Sequence, residues 1–383
     1  MADLSNDKGT NGTSDEFTLC RRCHQEPATL QIRSERVCSK CFTQYITTKT
    51  IKRMETYKIR GSTTAPRKLL LPLSFGPSSA ALLYILDQHL RGQFERMNRT
   101  SYELHVVHID LYLEAADRED SAKLLELYKA RFPSNTYSSF GLEDALLLAN
   151  IDWKALGLPP PSDQESQRPG TERLQALVRS MPSATSQKDI ATTLLTRLLV
   201  DVAKRNGCES ILFGDSTTKL AEKTLTETAK GRGFSLPWQV SDGMSSYGIG
   251  FNYPLRDLLK KELVHFSSLT TPPLTDLVIL QNASSHISAS SKLTTIDDLM
   301  VQYFESVEEN YPSIVANVVR TSSKLKALSG DSTTACGLCG LPVTEGNDGI
   351  FGWGGDQNSD SRPAKSDSDH GVLCYGCSRS ING

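Results

Sequence analysis

A chain of 383 residues is long enough for one large α/β core with small appendages, because single cores stop growing at about 250 to 300 residues, so two or three domains are expected. A formal net charge of −2 excludes a chain that is basic or acidic throughout, and no run approaches the ~20 apolar residues of a membrane span. Residues 1–16 are polar and acidic, with no apolar stretch behind a positive flank, so no secretory signal is read and a cytoplasmic protein without membrane contact is expected.

Residues 1–18 lack apolar periodicity and are expected to form a disordered tail. Cys20, Cys23, Cys38 and Cys41 then form two Cys-x-x-Cys pairs. Two residues between cysteines let both thiolates turn onto one tetrahedral ion, and a second pair closes the site. No coordination position is left for chemistry, so a structural zinc ribbon is expected. In a reducing compartment paired cysteines are more often ligands than disulfides; spacing leaves an iron–sulfur cluster open. Residues 42–60 read as a helix with Phe42, Tyr45, Ile46, Met54 and Tyr57 on its packing side and Lys49, Lys52 and Arg53 outward. From Cys20 to Lys68 there are twelve basic residues against three acids, a charge of +9. A solvated helix face or a phosphate-neutralising surface would both suit this, and attachment to a zinc ribbon favours RNA.

Leu69 to Leu71 and Leu73 mark a strand, Gly76-Pro77-Ser78-Ser79 a turn, and Leu82, Leu83, Leu86 and Leu90 a helix. Residues 102–110 alternate as a second strand. A Pro/Ser-rich surface loop at 157–170 precedes a helix at 190–206, a strand at 210–214 and a helix at 219–230. Such alternation predicts an α/β fold with a mostly parallel sheet covered on both faces. Residues 329–334 read as a linker into a second set, Cys336, Cys339, Cys374 and Cys377, expected to be another structural zinc ribbon. Its Gly/Asp/Ser-rich stretch at 346–371 is expected to be a disordered insertion. The 34 residues between Cys339 and Cys374 do not forbid one shared site, because closure entropy grows slowly with length. The expected division is a tail at 1–18, a ribbon with a basic helix at 19–62, an α/β domain at 63–328 and a ribbon at 329–383.

The strand–turn–helix at 69–90 stands where nucleotide-binding sheets place a phosphate loop, since a helix N-terminus offers free N–H groups and a positive dipole end. Ser74, Gly76, Ser78 and Ser79 are the candidate nucleotide residues, although such a junction also occurs as plain topology. His24, His105, His108 and His265 show no metal spacing; His24 reads as a ribbon surface residue, and His89, His286 and His370 as exposed. Cys208, directly before a strand, reads as a small buried residue. No Gly-x-Ser-x-Gly elbow is present.

With a cysteine set at each end, Ser74-Phe75-Gly76-Pro77-Ser78-Ser79 and Leu212-Phe213-Gly214-Asp215 leading into Leu220-Ala221-Glu222, the chain resembles the PP-loop ATPase superfamily. More narrowly, it resembles the family of second subunits of the eukaryotic cytosolic tRNA 2-thiolation complex. That narrower resemblance also rests on Tyr253-Pro254-Leu255-Arg256-Asp257 with Lys261-Glu262, and on Tyr311-Pro312-Ser313 leading to Arg320-Thr321-Ser322-Ser323-Lys324-Leu325. It runs from about Cys20 to Cys377, and its strength lies in order and coverage. The fold it implies is a PP-loop, adenine nucleotide alpha hydrolase-like parallel sheet flanked by N- and C-terminal zinc ribbons.

Departures from the superfamily pattern are informative. The usual loop reads Ser-Gly-Gly-x-Asp-Ser, but here Phe75 replaces a glycine and Ser78 an acid, and the Phe75 side chain is expected to crowd a phosphate's approach. Active members follow the later strand with Gly-His-Asn-x-Asp-Asp, whereas this chain has Gly214-Asp215-Ser216-Thr217-Thr218-Lys219. Sulfur-transferring relatives carry a Cys-x-x-Cys before the preceding helix, and residues 181–190 contain no cysteine. The resemblance therefore implies a degenerate subunit with no catalytic residue, two structural zinc ions and only doubtful ATP binding. Its implied partners are tRNA and a catalytic PP-loop thiolase subunit that makes 2-thiouridine at wobble position 34, with sulfur from a thiocarboxylated ubiquitin-related modifier. Arg21, Arg22, Arg33, Arg36, Lys49, Lys52 and Arg53 are the candidate tRNA contacts. Two rival readings are an ATP-dependent tRNA sulfurtransferase or adenylating enzyme working through 74–79, and a zinc-ribbon RNA binder whose α/β domain is a spacer. The missing acids and cysteines oppose the first, and the superfamily-like segments after Tyr253 oppose the second.

Overall fold

The computed structural model describes residues 19–58, 65–111, 115–156, 169–279, 294–326, 333–344 and 373–382. The expected tail at 1–18 and insertion at 346–371 lie outside the described residues, as do His286, His370 and most of the expected loop at 157–170 and linker at 329–334.

The chain opens with an antiparallel hairpin, β1 (Leu30–Ile32) and β2 (Glu35–Val37), followed by α1 (Ser39–Arg53). The α/β unit follows as β3 (Arg67–Pro72), α2 (Pro77–Met97), β4 (Tyr102–Asp110), α3 (Ala115–Arg131) and β5 (Thr136–Gly141). It continues through α4 (Gly170–Ser180), α5 (Ala184–Arg205), β6 (Ser210–Leu212), α6 (Thr217–Ala229), α7 (Leu236–Gln239), β7 (Gly243–Met244), β8 (Gly250–Asn252) and α8 (Lys260–Leu269). Helices α9 (Ile296–Asn310) and α10 (Pro312–Ser322) lead to a second hairpin, β9 (Thr333–Ala335) and β10 (Pro342–Thr344), and to α11 (Tyr375–Asn382). Thr333 and Thr334, expected at the end of the linker, thus already belong to a strand.

Six strands form the central sheet in the order β5-β4-β3-β6-β8-β7, parallel throughout except for β7 at its edge. The chain runs outward from β3 in one direction through β4 and β5, then returns to its other side for β6. The loop after β3 is therefore at the switch of strand order, where open α/β sheets bind ligands. β3 reads as an unbroken leucine run because both its faces are buried. Leu69 and Leu71 join one apolar cluster with Phe42, Ile46, Leu82 and Phe266, while Leu70 joins the other with Leu194, Leu198, Leu220 and Phe304. The first cysteine set belongs to the former cluster and the second set to the latter, so the two modules pack on opposite faces of the sheet.

Local sequence explains the helix boundaries. Pro77 starts α2 at a position where its missing N–H costs nothing, and Asn98 ends that helix in the left-handed region at φ 50°. Ser183 caps α5 by accepting from the Ser186 N–H, and Thr295 with Asp298 form a reciprocal capping box on α9. The helix expected over 42–60 instead ends at Arg53, with a 3-10 turn at Glu55–Tyr57. This break lets Met54 and Tyr57 both reach the core, where the Tyr57 hydroxyl donates to Ser210 Oγ at 2.8 Å and accepts from Asn252 Nδ2 at 2.7 Å. His89, expected to be exposed, is half-buried on α2 with its Nε2 2.9 Å from Gln93 Nε2. Cys208 is buried as expected.

Candidate functional site

The Sγ atoms of Cys20, Cys23, Cys38 and Cys41 all lie within 4.8 Å of one another, as do those of Cys336, Cys339, Cys374 and Cys377. In the first set Cys20 and Cys23 precede the β1–β2 hairpin, where Leu19 bridges to Pro27 and the Cys20 N–H bonds to Glu26 O at 2.8 Å. Cys38 is the N-cap of α1 and accepts from the Cys41 N–H. In the second set Cys336 and Cys339 occupy the turn between β9 and β10, and Gly340 at φ 72° bonds its N–H to Cys336 O at 2.8 Å. Cys374 and Cys377 are delivered by the start of α11, with the Cys374 N–H directed at Cys336 Sγ.

A tetrahedral ion with metal–sulfur bonds of about 2.3 Å spaces its sulfurs by about 3.8 Å. Cys23 and Cys38 Sγ are 3.8 Å apart, and so are Cys339 and Cys374 Sγ. Both donor sets therefore fit one tetrahedral ion. Four thiolates this close cannot all ionise without a cation among them. Accordingly, hydrogen bonds from the other three thiols lower Cys336, while bonding to Cys336 pushes Cys377 up. Burial opposes ionisation of Cys20, but N–H groups of Cys23, Cys38 and Arg22 outweigh it and bring that thiol to about 6.

The second set is fixed by residues that its spacing could not reveal. Arg232, nine-tenths buried, donates to Gly376 O at 3.1 Å and Ser380 Oγ at 2.6 Å and ion-pairs with Asp189 at 3.1 Å. The charge of Glu227 and Asp189 and the nearby Cys377 and Cys374 sulfurs outweigh burial and hold this guanidinium protonated. The Tyr247 hydroxyl donates to Cys339 O at 2.7 Å, and the Asp152 N–H donates to Gly337 O at 2.8 Å.

The candidate tRNA contacts fall into groups. Arg21, Arg33, Arg36, Lys52 and Arg53 are exposed, and Lys49 is half-buried. Exposed Arg22 pairs with Glu35 at 2.8 Å and lies 5.0 Å from the Tyr45 ring centroid, with Lys49 Nζ 5.9 Å from the same ring. Arg53 is not directed freely to solvent: it ion-pairs with Asp257 at 2.6 Å, across 204 positions of sequence. Arg33 stands at the hairpin turn with φ 52°.

At the loop after β3, Ser74 Oγ is 3.2 Å from Ser79 Oγ, and Ser79 Oγ donates to Gly76 O at 3.1 Å. Ser79 is buried and Gly76 and Ser78 are half-buried. Phe75 has φ 59°, the left-handed region that a glycine enters at little cost. Its ring does not stand in the loop mouth as expected. It is 1% exposed, stacked on His108 at 4.1 Å and on Tyr128 at 5.5 Å between centroids. The Phe75 carbonyl accepts from the Ile279 N–H at 2.8 Å, so the segment after α8 is tied to the loop. Gly214 permits the close approach of the β6 end, because a Cβ there would lie 3.0 Å from Ser79 Cα. Where active members have paired acids, Thr218 is fully buried and donates to Glu308 Oε2 at 2.6 Å, and Lys219 pairs with Glu222 at 3.1 Å. Thr218 thereby joins α6 to α9, whereas the Lys219–Glu222 pair lies within α6 itself.

The family described as "Cytoplasmic tRNA 2-thiolation protein 2" matches residues 295–379. A relative of that name from Sclerotinia sclerotiorum is 67% identical over 300 residues, covering 78% of this chain and 80% of its own. Another, from Phaeosphaeria nodorum, is 48% identical over 377 residues and covers 97% of both chains. This chain belongs to the cytoplasmic tRNA 2-thiolation protein 2 family. The solved U34-tRNA thiolase NcsA from Methanococcus maripaludis with its [4Fe-4S] cluster matches with a TM-score of 0.54 at 14% identity, over 84% of this chain and 92% of that one. At that identity the likeness concerns the fold, and it agrees with the PP-loop sheet expected from the sequence. Among the described residues no helix of this family member is long and apolar enough to cross a membrane.

Proposed function

We propose that this chain is the non-catalytic partner subunit of a cytosolic complex that makes 2-thiouridine at the tRNA wobble position. In this reading the catalytic PP-loop thiolase subunit adenylates and thiolates the uridine, using sulfur from a thiocarboxylated ubiquitin-related modifier. This chain binds tRNA through its N-terminal module and supports that subunit through its α/β body. The working division is 19–62 for RNA, 63–328 for the degenerate PP-loop domain and 329–383 for a locking ribbon.

The observation that carries the reading is the state of the loop. A phosphate cradle needs free N–H groups, hydroxyls and charge neutralisation together. Here the Ser74 and Ser79 hydroxyls are within hydrogen-bond distance of each other, and Thr218 and Lys219 stand where the paired acids would be, with Thr218 committed to Glu308. Zinc is the proposed ion of both cysteine sets, supported by the 3.8 Å sulfur spacings, since a four-iron cube holds its thiolates farther apart than a single ion does.

The test replaces Ser74 and Ser79 together by Ala. Wobble 2-thiouridine measured by mass spectrometry of cellular tRNA should remain near wild type, whereas deletion of the gene should abolish it. A folded, partner-bound double variant that eliminates the thiolated nucleoside would replace this reading with an ATP-using enzyme.

A further inference from the structure

A cleft of about 350 Å³ opens beside the N-terminus of α6, and Arg33, Arg53, Arg256 and Arg320 all line it. They come from four places: the β1–β2 turn, the end of α1, the turn after β8 and the last turn of α10. Two of the segments that marked the family resemblance, around Tyr253 to Asp257 and Arg320 to Leu325, thus meet the basic N-terminal module at one point.

The carboxylates in the cleft pair with half of this charge and leave the other half uncompensated. Asp242 Oδ2 accepts from Arg256 at 2.7 Å and lies 3.8 Å from Arg53, while Asp257 holds Arg53 at 2.6 Å. Asp242 is itself anchored, accepting from the Tyr253 N–H at 2.7 Å. Arg33 makes no side-chain hydrogen bond or ion pair among the described residues, and Arg320 reaches only the Asn317 amide oxygen at 3.3 Å. Four guanidinium groups against two carboxylates leave a formal excess of two positive charges. Ser241, whose buried hydroxyl has no partner among the described residues, adds a polar group to the wall.

We propose that this cleft binds a backbone phosphate of RNA, with Arg33 and Arg320 as the direct contacts and Arg53 and Arg256 as a preorganised rear wall. The inference rests on the tRNA-binding reading and gives it a location that joins the ribbon to the α/β body. A planar guanidinium donates two parallel hydrogen bonds to phosphate oxygens, which suits a fixed groove better than a flexible lysine face does. A mononucleotide-sized volume also fits one phosphate with its sugar rather than a helical groove.

The experiment uses the full, metal-loaded chain and measures tRNA affinity across a salt titration for wild type, Arg33→Ala with Arg320→Ala, and Lys49→Ala with Lys52→Ala. Arg33 and Arg320 are exposed, so the fold should persist, as unchanged thermal unfolding would show. The arginine pair should weaken binding about tenfold or more at low salt and reduce the slope of log affinity against log salt by about 1, as expected for one phosphate. Arg320→Lys should recover only part of the affinity. Binding weakened by the lysine pair but untouched by the arginine pair would overturn the cleft while keeping tRNA binding. Wild-type chain that binds no tRNA would overturn both. Intact tRNA affinity with loss of a co-purifying protein would overturn it in favour of an acidic peptide in the cleft.

Discussion

The two four-cysteine modules share ligands and metal spacing, and in both the second pair comes at a helix start, yet they are set into the molecule in different ways. Around the first, Cys23 and Cys41 remain half-buried, and Arg21, Arg22, Arg36 and Lys40 are exposed beside them. All four cysteines of the second are buried within the same apolar cluster as Leu194, Leu198 and Phe251, and Arg232 and Tyr247 bond directly to its backbone. The chemistry at the sulfurs does not decide what a ribbon contributes. Its surroundings do: the first offers a charged surface, and the second seals one side of the sheet.

Removing one sulfur from each module is the strongest way to break this comparison. Cys377→Ser should destabilise the whole chain, lowering its thermal midpoint by on the order of 10 °C or more and halving the bound zinc. Cys38→Ser should also lose one ion, but should unfold the N-terminal module while leaving most amide protection in β3, β4 and β6. Equal global losses from the two, measured by hydrogen exchange with elemental analysis, would show that the modules are equivalent. Arg232→Met tests the lock itself. It leaves Asp189 with one cationic partner fewer in a buried site, a change expected to cost about 3 to 5 kcal/mol in denaturant unfolding. The counterpart in the first module, Arg22→Ala, breaks an ion pair in which both side chains are 35% exposed, and should cost no more than about 1 kcal/mol. Lys49→Glu with Lys52→Glu should leave stability almost unchanged while weakening tRNA binding and flattening its salt dependence by about 1 to 2 in slope. Unchanged affinity would make that surface a solvated face.

Features carried by local spacing or period were legible in the sequence. Cysteine pairs two residues apart can turn onto one ion through local geometry, and the leucine run of β3 announces a sheet covered on both faces. Strands β7 and β8 have two and three residues, too few for a period, and no expectation placed them. The end of α1 at Arg53 was hidden because Tyr57 is drawn inward by Ser210 and Asn252, partners more than 150 positions away. The same distance in sequence concealed the Arg53–Asp257 pair, which takes a presumed free cation out of the helix face. Sequence identified Phe75 as the departure at the loop, but not that its backbone still adopts a glycine-like angle while its ring packs below. Arg256 and Asp257 are adjacent in the Tyr253–Asp257 segment, but each pairs with a residue distant in sequence, Arg256 with Asp242 and Asp257 with Arg53, so the cleft was not legible from their adjacency.

Burial of Cys336, Cys339, Cys374 and Cys377 inside the main core has a consequence at the level of mass action. An ion bound only by the native state stabilises it in proportion to the logarithm of free ion above the dissociation constant, about 1.4 kcal/mol for each tenfold. Since this site is continuous with the sheet, an ion held there would apply that increment to the folding equilibrium of the body as a whole, and the folded fraction would follow the cell's supply of free metal. An ion in the partly exposed N-terminal site would draw on the same supply, but there the increment would govern a surface module, so metal scarcity would reduce the amount of folded protein by one route and the proposed RNA contact by the other.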